Sequence, residues 1–254
     1  MTASAIALNT FKEAVRNKVF YLLVFVGIFF ALSSEFISML ALGDRVKVLK
    51  DVGLASIHFF SVLVAIFTGI NLVYKEIEKK TIYNILSKPI SRASFIVGKF
   101  LGLGLTLLVA LASMAAIFFL FLFIISGTFD AGVAIYFLLL YFELLIITSI
   151  SLLFSSFSTP IPSSIFTITI FLVGHILWTF NQFKQYLVKP APKILAYFFY
   201  YILPNLDKFN IKNAVVMGNL PTTAAIVNSI VYAVVYIAAL LSLSIVIFSR
   251  REFQ

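Results

Sequence analysis

The chain has 254 residues, of which 62% are hydrophobic and only 11% charged, with no cysteine and a formal charge of +9. Soluble domains carry about 25% charged residues, so this chain has too little polar surface to cover itself in water and falls in the membrane class. The lack of cysteine excludes disulfides, thiolate metal sites and cysteine nucleophiles, and the positive charge reads as Lys and Arg beside lipid headgroups rather than as a nucleic-acid surface.

The chain opens with MTASAIALNTFKEAVRNK. Ala3, Ile6, Ala7, Phe11, Ala14 and Val15 recur at helical spacing, with Ser4, Asn9, Lys12, Glu13 and Arg16 largely opposite. That pattern predicts an amphipathic helix lying in the membrane interface. It is no signal peptide, because charge precedes an apolar run of full span length.

A membrane span needs about 20 mostly apolar residues. Six segments qualify, at approximately 19–42, 52–74, 100–126, 133–154, 165–180 and 224–248. The fifth is short and uses Pro162–Ser164 to reach across. Ile194–Leu203 has the length of an interfacial or re-entrant piece. An even count puts both termini on one side. With the termini inside, eleven Lys and Arg are cytoplasmic against eight outside, and most of the eight lie in the long 181–223 loop, far from span ends, where they weigh little.

Between spans two and three lies KEIEKKTIYNILSKPISRASFIVGK, Lys75 to Lys99, with six of the nineteen basic residues. Thr81 is placed to cap a short helix, on which Ile82, Ile85 and Leu86 form a one-sided apolar strip. Pro89 ends it, Ser91 caps a second helix running into span three, and Lys99 is placed to snorkel back to the surface. The result is a stiff lever with apolar knobs and a cationic rim, suited to docking a soluble partner.

The order Glu76, Glu78, Thr81, Ile82, Tyr83, Ile85, Leu86, Ser87, Pro89, Ser91, Arg92 and then Lys99 resembles the coupling-helix region of type-two ABC exporter permeases, with Lys80 where the family commonly has glycine. LPNLDKFNIKN (Leu203–Asn213) and FSRREF (Phe248–Phe253) resemble the permease branch associated with multi-copper enzyme maturation. The resemblance implies an all-α membrane protein in which residues 1–254 form a single permease domain. Its six transmembrane helices would carry an N-terminal elbow helix, a cytoplasmic coupling helix between spans two and three, and an extracytoplasmic helical hairpin between spans five and six. It also implies a homodimer of permeases, two cytoplasmic ABC ATPase subunits holding ATP and Mg, membrane lipid and an extracytoplasmic accessory protein as partners. The expected location is the inner membrane of a prokaryote, with both termini cytoplasmic. No GxxxxGK[ST] loop is present: Gly98-Lys99 is followed by Phe100. Any nucleotide therefore belongs to another chain, and no cofactor is expected on this one.

Ionisable groups inside spans need a reason. Glu143 lies near the middle of span four and reads either as a cation or proton contact in the transport path or as a carboxylate protonated or hydrogen-bonded between helices. His175 in span five reads as a group titrating near neutral pH or as an interhelical hydrogen bonder; Thr167 joins them as a path residue. Glu35 sits near the outer end of span one. His58 and His175 are distant in sequence with no carboxylate beside them, so no metal site is expected despite the copper association. Gly98 and Gly102 read as a helix-packing face. Thr148, Ser149, Ser151, Ser155 and Ser156 make one end of span four polar. No catalytic constellation can be assembled, so the chain reads as a transport subunit and not an enzyme. Two other functions fit the residues: an ATP-independent secondary transporter or channel using Glu143 and His175, and a non-transporting membrane scaffold.

Overall fold

The structure is a computed structural model describing residues 3–40, 43–78, 91–183, 200 and 202–250, with the backbone alone for 71–78 and 178–183. The described chain contains helices and no strand. These are α1 (Ala3–Val15), α2 (Lys18–Met39), α3 (Arg45–Glu78), α4 (Arg92–Ser126), α5 (Ala131–Ser155), α6 (Pro160–Phe183), a 3-10 turn (Leu206–Phe209), α7 (Lys212–Met217) and α8 (Thr223–Arg250). Helices α2, α3, α4, α5, α6 and α8 are long and apolar enough to cross a membrane. They are the six expected spans.

The boundaries differ from the apolar runs for local reasons. Helix α3 begins at Arg45, seven residues before the run, because Asp44 accepts hydrogen bonds from the amides of Val46 and Lys47. Helix α4 begins at Arg92 because Ser91 accepts from the Ser94 amide at 3.1 Å, the cap expected there. Helix α6 starts at Pro160, a position where the missing amide costs nothing, so the short fifth run becomes a 24-residue helix. With 34 and 35 residues, α3 and α4 are each about 50 Å long, well beyond a hydrocarbon layer of about 30 Å.

Helix α5 is the axis of the bundle. Seventeen of its 25 residues are buried, and α3, α4, α6 and α8 all pack on it. Outward faces carry Phe25, Phe29, Phe36, Leu120, Ile161 and Val235 bare, which suits lipid and not water. Since lipid tails are as apolar as the side chains, close packing rather than the hydrophobic effect must join these helices. Small residues do this. A Cβ on Gly69 of α3 would meet the Ser151 hydroxyl of α5.

The Gly98–Gly102 face packs as expected, but its partner is α1. A Cβ on Gly98 would fall 2.8 Å from the Ala3 carbonyl oxygen, and one on Gly102 would fall 2.5 Å from that of Ala7. Helix α1 turns Ile6, Thr10 and Ala14 inward at four-residue spacing and leaves Ser4, Asn9, Lys12 and Arg16 exposed. Lys99 departs from its expected snorkelling position: it is 1% exposed, its Nζ 5.9 Å from the Phe95 ring centre one turn back.

Residues 43–50, 127–130 and 204–222 gather at one end of the bundle, where α2 and α4 finish and α3, α5 and α8 begin, here termed the far end. Ion pairs hold it: Lys50 to Asp130 at 2.6 Å, Lys212 to Asp51 at 2.8 Å, and Arg45 to Glu35. Glu35, near the end of α2, thus pairs with the first residue of α3.

Candidate functional site

Helices α3, α5 and α6 each bring one ionisable side chain to a common point. Glu143 is 12 residues into α5 and His58 is 13 into α3, placing both about 20 Å from the far end. The His58 Nε2 lies 3.0 Å from Glu143 Oε1, and His175 Nε2 lies 3.4 Å from the same oxygen. The two imidazole centres are 5.6 Å apart, with the Phe171 ring 4.6 Å from that of His175. The carboxylate is 1% exposed and the two histidines 15% and 20%.

One hydrogen bond fixes a proton. The Phe171 carbonyl can only accept, so the 3.1 Å contact to His175 Nδ1 makes that nitrogen the donor. In neutral His175, Nε2 then carries a bare lone pair, and it is a buried atom without a hydrogen-bond partner. His58 donates to Glu143 through Nε2. With both histidines neutral and Glu143 ionised, Oε1 faces one N–H and one lone pair. Two acceptors turned toward each other at 3.4 Å repel unless something positive stands between them.

This corrects the sequence reading of the histidines, which share a carboxylate after all. The residues are 85 and 32 positions from Glu143, and only the packing of three helices joins them. Sequence reasoning does not place His58 at the site; a histidine six residues into the apolar run 52–74 is the signal that could find it. Thr167 is not part of the cluster. It lies two turns from His175 and donates to the Ser163 carbonyl of its own helix. The polar strip of α5 behaves likewise: Thr148, Ser149, Ser151, Ser155 and Ser156 each donate to a carbonyl three or four residues back.

On its far side the cluster is covered by the Leu203–Asn213 motif. Leu206 and Phe209 are fully buried, and the Pro204 carbonyl reaches Gly174, where a Cβ would fall 2.8 Å away. The Asn205 amide donates to the Tyr232 hydroxyl at 2.9 Å, and Lys208 Nζ stands 4.3 Å over that ring. Burial raises the Asp207 carboxyl above the usual carboxylate range; the charge of His175 opposes the shift and that of Glu143 adds to it. Asp207 is thus within electrostatic reach of the cluster. Of the expected hairpin between spans five and six, residues 184–199 lie outside the described residues, and the described remainder is the 3-10 turn and α7.

The other predicted site is the insert. Thr81, Ile82, Tyr83, Ile85, Leu86, Ser87 and Pro89 lie outside the described residues, and Glu76 and Glu78 are placed by backbone alone in the last turn of α3. Its exit is described. Arg92 Nη1 donates to the carbonyls of Phe248 and Ser249 at 2.8 and 2.9 Å, and the Phe95 ring stacks on Phe248 at 5.5 Å. The start of α4 is therefore clamped to the last turn of α8.

The sequence matches the family described as ABC-2 family transporter protein over residues 4–253. No significant match to a curated protein is found. With six span-length helices and a match across nearly its whole length, this multi-pass membrane chain belongs to the ABC-2 transporter family, whose members are permease subunits of ABC transporters.

Proposed function

We propose that this chain is the permease of an ATP-driven exporter, working as a homodimer with two cytoplasmic ATPase subunits that hold ATP and Mg. The family match over residues 4–253 carries the reading. In it, α1 is an elbow helix in the membrane interface, and residues 79–90 are the coupling element, with Thr81, Ile82, Tyr83, Ile85, Leu86, Ser87 and Pro89 facing the ATPase. Both termini are cytoplasmic, in the inner membrane of a prokaryote. A place in the multi-copper branch follows from the Leu203–Asn213 and Phe248–Phe253 motifs alone, and an extracytoplasmic accessory protein completes the proposed assembly.

Two features support the mechanical part. Helices α3 and α4, which flank the insert, exceed the hydrocarbon layer by about 20 Å. They form a stiff stalk on which a soluble subunit can act. The Arg92 clamp then passes a displacement of the insert to α8 as well as to α3 and α4. ATP shifts the permease between conformations only as far as the ATPases bind those conformations differently, and a rigid connection is what makes that difference large.

The test is co-purification. The tagged chain should bring down an ATPase, and the double substitution Ile85→Asp with Leu86→Asp should release it while the permease stays folded. Retention of the ATPase by that variant would remove the docking assignment. A second reading, a proton-linked carrier without ATP, is favoured by the buried Glu143 between two histidines. Substrate flux driven by a proton gradient through the purified chain alone would establish it.

A further inference from the structure

We infer that His58, Glu143 and His175 form an intramembrane binding site for one divalent transition-metal ion of the zinc class. The donor set is the first ground. Two imidazole nitrogens and one carboxylate oxygen suit a borderline-soft cation, which takes three protein ligands and leaves a fourth position open. Distances are the second. Ligands bound tetrahedrally at about 2.1 Å stand about 3.4 Å from one another. Here the two nitrogens lie 3.0 and 3.4 Å from the shared oxygen, and all three ligand atoms lie within 4.8 Å of one another. Rotation of the two imidazoles about their side-chain bonds would bring the three atoms to that spacing around an ion.

The third ground is the orientation of His175. A metal-binding histidine donates its other ring N–H to a carboxylate or backbone carbonyl, which turns the lone pair toward the ion. His175 does this through Phe171, and its inward Nε2 is buried with no hydrogen-bond partner. A proton on Nε2 and a metal ion would each remove the contact between His175 Nε2 and Glu143 Oε1, and the titration below separates the two. A dication would meet the His175 lone pair and the shared oxygen at once, and His58 would join as third ligand by giving up its Nε2 proton, to its own Nδ1 or to solvent. The ion would tie α3, α5 and α6 together at mid-membrane. This inference stands apart from the ATPase reading: it concerns what three side chains bind, whatever drives the protein.

The experiment uses the full-length chain, stripped with chelator and held in lipid nanodiscs, titrated with cobalt(II) alone and then with zinc(II). The expected result is one cobalt per chain, seen as the visible d–d absorption of a four-coordinate ion and abolished by zinc. Glu143→Gln and His175→Ala should each weaken binding by at least about tenfold. His175→Cys keeps a ligand at the site and should add a thiolate-to-cobalt charge-transfer band, unambiguous because the chain has no other cysteine. That variant decides the matter if the others fail to fold. Cobalt binding unchanged by these substitutions, no binding by the parent chain, or His175→Cys without the charge-transfer band would each overturn the proposal. A cluster that takes up protons while ignoring both metals would do the same.

Discussion

Arg92, the first residue of α4, places its Nη1 2.8 Å from the carbonyl oxygen of Phe248, 156 positions later in the last turn of α8. The contact puts a cation at the negative end of the α8 dipole. It is also the link by which motion of the 79–90 insert would reach the last span.

Replacing Arg92 with Ala should therefore act in two ways. It should destabilise the purified chain by about 1 kcal/mol, since the site is partly exposed and the lost hydrogen bonds are charge-assisted. It should also lower ATPase stimulation more than stability alone explains, with Arg92→Lys recovering the part owed to charge. Thermal unfolding in micelles, read beside ATPase rate, checks both; equal stimulation by Arg92→Ala and the parent would remove the clamp from the mechanism.

The seat of α1 gives a steric prediction. A methyl group at Gly102 would fall 2.5 Å from a backbone carbonyl of α1, and backbone cannot step aside as a flexible side chain can. Gly102→Ala should cost about 1–3 kcal/mol and free α1 from α4. A cysteine placed at Ile6, buried in the parent, should become reactive to a thiol reagent in the Gly102→Ala background. Unchanged protection would mean that α1 is held elsewhere.

Asp130 caps α5 and pairs with Lys50. Burial pushes its carboxyl upward, but the hydrogen bonds from Lys50 and the Gly132 amide and the Lys50 charge outweigh it, so the pKa is lowered. A lowered folded-state value contributes stability above the ordinary carboxylate pKa of about 3.9 and loses it as pH falls through the folded value. Asp130→Asn keeps the cap and removes the charge. It should be less stable than the parent at neutral pH, with the gap closing in acid, whereas Asp130→Ala should remain about 1 kcal/mol worse at every pH through loss of the cap. A pH-independent gap for Asp130→Asn would contradict the assignment.

Asp207 has the opposite sign. Its carboxyl is raised, chiefly by burial, so its contribution to stability is fullest below the ordinary carboxylate value and lost as pH rises through the folded one. Asp207→Asn should raise the unfolding temperature at pH 7 and make no difference in strong acid. A lower unfolding temperature at neutral pH would mean that the ionised form is held by a favourable partner.

The six spans were legible because a membrane span is a local property: length and apolarity suffice, whatever the neighbours. Their ends were less so. Helix α3 runs back through Lys50, Lys47 and Arg45 because charged residues at the interface continue a helix that hydropathy has stopped counting. The Gly98–Gly102 face showed that something packs there, but not that the partner is Ala3 and Ala7. Ser91 was legible as a cap because its bond reaches three residues. The His58–Glu143–His175 cluster was not, since nothing local to 58, 143 or 175 records that α3, α5 and α6 meet at one level.

The most direct test of the account is ATP hydrolysis by the co-purifying ATPase, reconstituted in nanodiscs with the parent chain and with the Ile85→Asp, Leu86→Asp double variant. The account predicts that the parent stimulates hydrolysis and that the double variant, inserted and folded, returns the rate to that of the ATPase alone. Full stimulation by the double variant would contradict the claim that the 79–90 insert connects this bundle to its motor.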